Sequence, residues 1–327
     1  MSHVVADGLE FQRDGFVLVR NVFTDDEVAR MRAAVKRHAE EALARGRVLP
    51  RRTDEIIPVG DLLDYAGIDV VFDERLLSIA RSLLGKRELV YFGDSGLMVG
   101  GSLRGFHKDN TCRDDATHPD WSTPYTLIRM GIYLEDHSRH SGGVKVRRGS
   151  HLCADITTGE IVDVPSRPGD VVVWSLRTTH SGFAVRVRSL PWVHLQPRME
   201  IRLPKPLMVG EPCERLALFV TYGLDDAHLA RYVGKHADRE GYPDNYLFKS
   251  WLYSSPDPKW DEIARARGCK MMRPIPEYGA HFGSRERTPL GYIPVGSSAP
   301  DSYPARGLEA FYQTLGKVVR TVTRQTR

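Results

Sequence analysis

With 327 residues, 41% of them hydrophobic, the chain is long enough for one large core with peripheral helices or for two modest domains. Its 46 basic and 42 acidic residues leave a net charge of +4, which argues against a dedicated nucleic-acid binder with a concentrated basic face. No apolar run approaches the ~20 residues of a membrane helix, the first residues lack the apolar core of a signal peptide, and Cys112, Cys153, Cys213 and Cys269 are scattered without a CxxC pair. A cytoplasmic protein with reduced thiols and no zinc knuckle is expected.

Gly15–Arg20 (GFVLVR) reads as a short buried strand. Thr24-Asp25-Asp26-Glu27 fits a capping box, a hydroxyl cap with a glutamate three residues on. The helix it opens carries Val28, Met31, Ala34 and Val35 at helical spacing and runs to about Arg45, where Gly46 stops it. A second helix is predicted from Asp73 to Leu84, ended by Gly85. From about Glu88 to Tyr222 short strand-like runs follow one another: LVYFG, GLMVG, YTLIRMGIYL, GGVKVR, DVVVW and RLALFVTY. With no helical pattern between them, they predict an antiparallel sandwich or jelly roll. Helix returns at about Asp226–Ala237, Tyr242–Pro304 reads as largely irregular, and a last helix is predicted at about Leu308–Thr323. The expected organisation is a single domain over 1–327: an N-terminal part to 87, a β core at 88–224, and a C-terminal extension at 225–327 covering that core.

A jelly roll can hold a metal with two histidines and one carboxylate on one face, leaving three positions open. The first two ligands commonly come as His-x-Asp, because residues i and i+2 of an extended strand point to the same side. The motif alone is weak: twelve histidines in this composition supply one or so by chance, and the chain holds His107-Lys108-Asp109, His118-Pro119-Asp120 and His236-Ala237-Asp238. The third falls in a predicted helix, where i and i+2 diverge by about 200°. The second contains Pro119, poorly tolerated in a sheet ladder. Strand geometry therefore favours His107 and Asp109 over a surface histidine and aspartate. Candidates for the next ligand are His137, His140, His151, His180 and His194. His180 is favoured because it follows the buried run RPGDVVVW and precedes the small residues Ser181 and Gly182.

These segments together resemble the phytanoyl-CoA dioxygenase family of iron(II)/2-oxoglutarate oxygenases, from about Phe11 to Tyr222. FQRDGFVLVRNVFTDDEVARMR is similar to the family's first strand and helix, GFHKDN to its His-x-Asp, and IYLEDHSRHSGGVKVRRGSH to the strand, Gly-rich turn and Gly-Ser-His that follow; RPGDVVVW and TTHSG match the approach to the distal histidine. The resemblance implies a double-stranded β-helix (a cupin-like jelly roll, mainly β with flanking α) wrapped by N- and C-terminal helices. It implies Fe(II) on His107, Asp109 and His180, with 2-oxoglutarate and O₂ as cosubstrates. It also implies an arginine that pairs with the far carboxylate of 2-oxoglutarate, for which the planar guanidinium is suited. That arginine normally precedes the last core strand, shortly after the distal histidine. Here the matching strand is Arg215–Tyr222, so Arg215 is the counterpart and an insertion at about 187–213 intervenes; Arg186 and Arg188 fit the spacing less badly but lack the strand. Arg129 and Ser181 join Arg215 as candidate cofactor-binding residues.

Asp109 favours hydroxylation-type chemistry over halogenation, because related halogenating enzymes carry a small residue there. Tyr91, Asp94, Phe106, Arg129 and Trp174 lie on predicted strands where they can face the cavity or serve as packing. The insertion reads equally as a lid or as a surface excursion. The expected substrate is a small polar molecule, hydroxylated or oxidatively cyclised, in a natural-product pathway and conceivably glycosidic. No nucleic-acid or membrane partner is expected. The rival readings are a non-catalytic ligand-binding barrel and a cupin-type metalloenzyme that uses no 2-oxoglutarate; an exposed Arg215 would favour the latter.

Overall fold

The computed structural model describes residues 5–46, 48, 56–58, 60–85, 87–101, 105–113, 115–190, 192–200, 202–210, 214–237 and 257–272. The helix expected at 308–323 and most of the segment 242–304 lie outside these residues. Among the described residues no helix is long and apolar enough to cross a membrane, and Cys112, Cys153 and Cys269 are free thiols.

Helix α1 (Gly8–Asp14) was not legible in the sequence; Asp7 caps it by accepting from the amides of Leu9 and Glu10. Strand β1 is Phe16–Val19. Helix α2 (Asp25–Ala44) opens on the expected capping box: Thr24 N–H donates to Glu27 at 2.8 Å and Glu27 N–H donates to the Thr24 hydroxyl at 3.3 Å. Helix α3 (Glu74–Leu84) is capped by Asp73 and stopped by Gly85, as read. The core strands are β2 (Leu89–Val99), β3 (Ile128–Tyr133), β4 (Gly143–Arg148), β5 (Glu160–Asp163), β6 (Val171–Ser175) and β7 (His180–Ala184). A short helix α4 (Pro197–Glu200), strand β8 (Leu216–Leu224), helix α5 (Ala227–Ala237), helix α6 (Lys259–Ala266) and strand β9 (Cys269–Met271) complete the set. The last two correct the irregular reading of that stretch: β9 pairs in parallel with β2.

A six-stranded sheet in the order β1-β6-β3-β8-β2-β9 faces a three-stranded sheet β5-β4-β7, the two layers of a double-stranded β-helix. Period-two alternation assigns the faces. Ile128, Met130 and Ile132 of β3, with Leu218 and Val220 of β8, pack outward against Met31 and Val35 of α2 and Leu76 and Ile79 of α3. Tyr133, Trp174 and Ala217 turn inward and meet Val144 and Val146 of the small sheet. The runs LVYFG and GLMVG are one strand, β2, broken by a register shift between Tyr91 and Ser95 where Gly93 takes φ +80°. Only glycine adopts that conformation readily, and the bulge re-aims the residues beside it.

The segment after His180 does not sit free. Lys145 of β4, fully buried, lies 2.6 Å from Glu200 and 3.0 Å from Asp163, and donates to the Leu195 carbonyl. His194 pairs with Asp163 at 2.9 Å. Because Val144 and Val146 face inward, Lys145 faces outward, so this part of the segment is clipped to the outer side of the small sheet.

Candidate metal centre

His107 and His180 are brought together by the backbone. They form an isolated antiparallel bridge, His107 N–H to His180 O at 3.0 Å and His180 N–H to His107 O at 2.9 Å. The amide of Asp109 then bonds the Leu176 carbonyl at 2.9 Å, which holds the extended segment along the end of β6. The imidazole rings lie 4.4 Å apart. The Asp109 carboxylate closes the group, Oδ1 3.7 Å from His107 Nε2 and Oδ2 3.4 Å from His180 Nε2. One ligand atom from each residue falls within 4.8 Å of the others, and no other His, Cys, Asp or Glu group among the described residues converges in this way.

Both rings are oriented by their second nitrogen. His107 Nδ1 donates to the Gly105 carbonyl and His180 Nδ1 to the Thr178 carbonyl, each at 3.0 Å. This selects the tautomer that presents Nε2 as a lone pair. Burial lowers the His180 pKa to about 4, so it stays neutral and ready to ligate. Burial alone would raise the Asp109 carboxyl, but Arg129, His180 and His107 together hold it below the usual carboxylate range. Two imidazoles and one carboxylate on one face are the donor set of a non-haem ferrous site.

Three other described histidines make contacts elsewhere. His151 donates through Nε2 to the Gln12 carbonyl, His137 Nδ1 lies against the Ser141 carbonyl, and His118 starts a 3-10 turn by accepting from Asp120 N–H.

Arg215 is buried, not exposed. Its guanidinium donates to the carbonyls of Gly100 at 2.8 Å, Gly182 at 2.7 Å and Gly142. Gly182 lies two residues beyond His180 on β7, so Arg215 stands one strand step from the metal ligands. An aromatic wall joins the two: Arg215 lies over Tyr133 at 5.6 Å, Tyr133 meets Phe219 at 6.1 Å, Phe219 meets Trp174 at 6.3 Å, and Trp174 meets His180 at 5.4 Å. The Trp174 indole N–H is buried without a partner. The buried Arg215 has each guanidinium nitrogen on a main-chain carbonyl, and the aromatic wall with the Trp174 indole N–H lies between it and His180. Arg186 and Arg188, the alternatives by spacing, donate to the His137 and Met208 carbonyls.

Ser181 follows His180 on β7 and pairs in register with Lys145, so it faces the clipped outer segment while His180 faces the cavity. Arg129 reaches the centre and, like Arg215, has all three guanidinium nitrogens on protein acceptors: Nη1 to Asp109 at 2.7 Å, Nη2 to Asp94 at 2.5 Å and Nε to Thr221 at 3.0 Å. Of the other cavity candidates, Tyr91 points the opposite way, donating to Asp61 at 2.6 Å, and Phe106 lies under Arg147 at 4.7 Å. Thr221, Phe219 and Tyr133 were not singled out from the sequence. Their signal was available, because alternation along β3 and β8 puts them on the face of Arg129 once the strand pairing is known.

The model of the phytanoyl-CoA dioxygenase (PhyH) family matches residues 11–188, just over half of the chain. The ectoine dioxygenase of Stutzerimonas stutzeri is 27% identical over 154 residues, which covers 43% of this chain and 48% of that protein. The chain thus spans about half the length of the curated relatives it matches. Among solved structures, AviO1 from Streptomyces viridochromogenes Tue57 is 22% identical with a TM-score of 0.46, covering 70% of this chain and 98% of that one. HygX from Streptomyces hygroscopicus, solved with nickel and 2-oxoglutarate bound, is 17% identical with a TM-score of 0.44, covering 66% and 85%. The family match ends where the clipped segment begins, so it contains His107, Asp109 and His180 but not Arg215. On that match the chain belongs to the phytanoyl-CoA dioxygenase family, whose members are iron(II)/2-oxoglutarate oxygenases.

Proposed function

We propose that His107, Asp109 and His180 hold Fe(II), that Arg215 anchors 2-oxoglutarate, and that the chain hydroxylates or oxidatively cyclises a small polar substrate. The observation that carries this reading is the convergence of the three ligand atoms with both imidazoles tethered through Nδ1. When bound, the metal and keto acid supply O₂ activation coupled to decarboxylation, and the protein supplies orientation and a dry cavity. Asp109 supplies the carboxylate that a halide-accepting site lacks. The Trp174–Phe219–Tyr133 wall excludes water along the keto acid, and Arg215 neutralises its distal charge.

A polar substrate is supported by buried groups without partners near the ligands. The Tyr125 hydroxyl, close enough to feel the Asp109 charge, is buried and unpartnered, and so are both polar atoms of the Asn110 amide. A glycosidic natural product would satisfy such groups. The free thiols support a reducing compartment such as the cytoplasm. The test is anaerobic titration with Fe(II) and then 2-oxoglutarate, followed in the visible. A charge-transfer band that needs both components supports the reading. Its absence in folded protein favours the non-catalytic barrel, and metal binding without it favours a cupin-type enzyme.

A further inference from the structure

Beside the candidate ligands stands a cation–anion arrangement that neither ligation nor keto-acid binding requires. Arg129 stands between two carboxylates, donating one terminal nitrogen to Asp109 and the other to Asp94. Its Nε is held by the Thr221 hydroxyl, and Asp94 accepts in addition from the Tyr232 hydroxyl of α5 at 3.1 Å. Asp94 reaches this position because it lies in the β2 bulge, directly after Gly93. Asp94 is 3% exposed, and the Arg129 side chain is largely buried.

An arginine against a metal-ligating carboxylate is a hazard for the metal. The guanidinium fork matches a carboxylate bidentately, so it competes for both oxygens, and its charge opposes the cation. Here the fork is split, and Asp94 takes the second prong and balances the charge. We propose that Asp94 and Thr221 are positioning residues that restrain Arg129 to one oxygen of Asp109, leaving that carboxylate available to the metal. Arg129 then orients Asp109, and Tyr232 ties the arrangement to α5. The inference rests on the proposed metal site and adds to it the residues that set its affinity.

The experiment is titration of the folded chain with Co(II) alone, read by visible absorption, with far-UV circular dichroism as the fold control. Asp94→Asn leaves the fork without its second anion, and the expected result is a Kd for Co(II) raised about tenfold or more, with a changed Co(II) spectrum. The double variant Asp94→Asn/Arg129→Met removes cation and counter-anion together and is expected to bind within about threefold of wild type, a rescue that a purely structural pair would not show. An Asp94→Asn chain that binds like wild type overturns the inference. So does a double variant that folds but binds tenfold more weakly, or one that does not fold, since the pair is then a scaffold element. Should Asp94→Asn alone fail to fold, the double variant decides. A folded wild-type chain that binds no Co(II) overturns the metal reading itself and this inference with it.

Discussion

Strands β3 and β8 present two faces that solve different problems. Outward, Ile128, Met130, Ile132, Leu218 and Val220 are wholly buried in the hydrophobic cluster that includes the apolar faces of α2 and α3. Inward, Arg129, Tyr133, Phe219 and Thr221 alternate with them, and Arg129 and Thr221 form an ordered polar chain that ends at Asp109. The outer face is stabilised by area removed from water, which is non-directional and tolerant of rearrangement. The inner face is held by directional bonds in a dry space, where an unpaired group is expensive. One strand can thus carry both the fold and the site, because alternation keeps the two separate. The contrast predicts that outer substitutions damage stability and spare the metal, while inner ones do the reverse.

The largest expected effect is on the inner face. Asp109→Ala or His180→Ala should weaken Fe(II) binding by at least ~100-fold, beyond the loss from an outer-layer partner, and abolish substrate-dependent succinate formation. Full turnover in either variant would break the ligand assignment. Next, Arg215→Gln should raise the Kd for 2-oxoglutarate by roughly 100-fold, the range for a lost partner of a buried charge, with Fe(II) affinity nearly unchanged; paired metal and keto-acid titrations check this. On the outer face, Met130→Ala should lower unfolding free energy by about 2–5 kcal/mol through the cavity it leaves, with the metal Kd of the folded protein within about twofold. A larger metal effect would show that the faces are coupled.

Gly131→Ala sharpens the comparison at its boundary. An added Cβ would stand 2.9 Å from Trp174 Cζ3 and 3.0 Å from Tyr133 Cε2, inside the aromatic wall. A destabilisation of about 1–3 kcal/mol is expected, together with weaker 2-oxoglutarate binding. The smallest effect is in pH. Burial, only partly offset by the Leu216 amide and Arg32, pushes Glu135 up to about 7. Between the ordinary glutamate range and pH 7 the folded chain keeps a proton that the unfolded chain has lost, so stability falls as pH rises through that window. Urea unfolding at pH 5 and pH 7.5 should show a loss on the order of 1–2 kcal/mol from this group, and Glu135→Gln should flatten it.

Much of the outer framework was legible. The Thr24–Glu27 box, the Gly85 stop, the strand runs and the helix at Ala227–Ala237 all rest on contacts between near neighbours, which composition and spacing reveal. Helix α1 was missed because seven residues with one aspartate cap carry little periodic signal. Within the site, the strand rule favoured His107 and Asp109 over two competing His-x-Asp motifs; the structure places them in an extended segment tied by an isolated bridge to His180 and lying outside the named strands. Where Ser181 faces was not legible, because it depends on the β4–β7 register, which pairs Ser181 with Lys145 and His180 with Val146.

What the sequence by itself determined was therefore local: most of the segments that extend, the longer helices and their caps, and which two residues of one extended segment share a face. What only the tertiary structure decided was convergence. The His107–His180 bridge, the reach of Arg215 to the Gly182 carbonyl, and the division of Arg129 between Asp94 and Asp109 each join separate segments of the chain. Those contacts depend on strand order, on register and on one bulge at Gly93. A one-residue slip in register would turn each inward side chain outward, and no short-range pattern specifies against it.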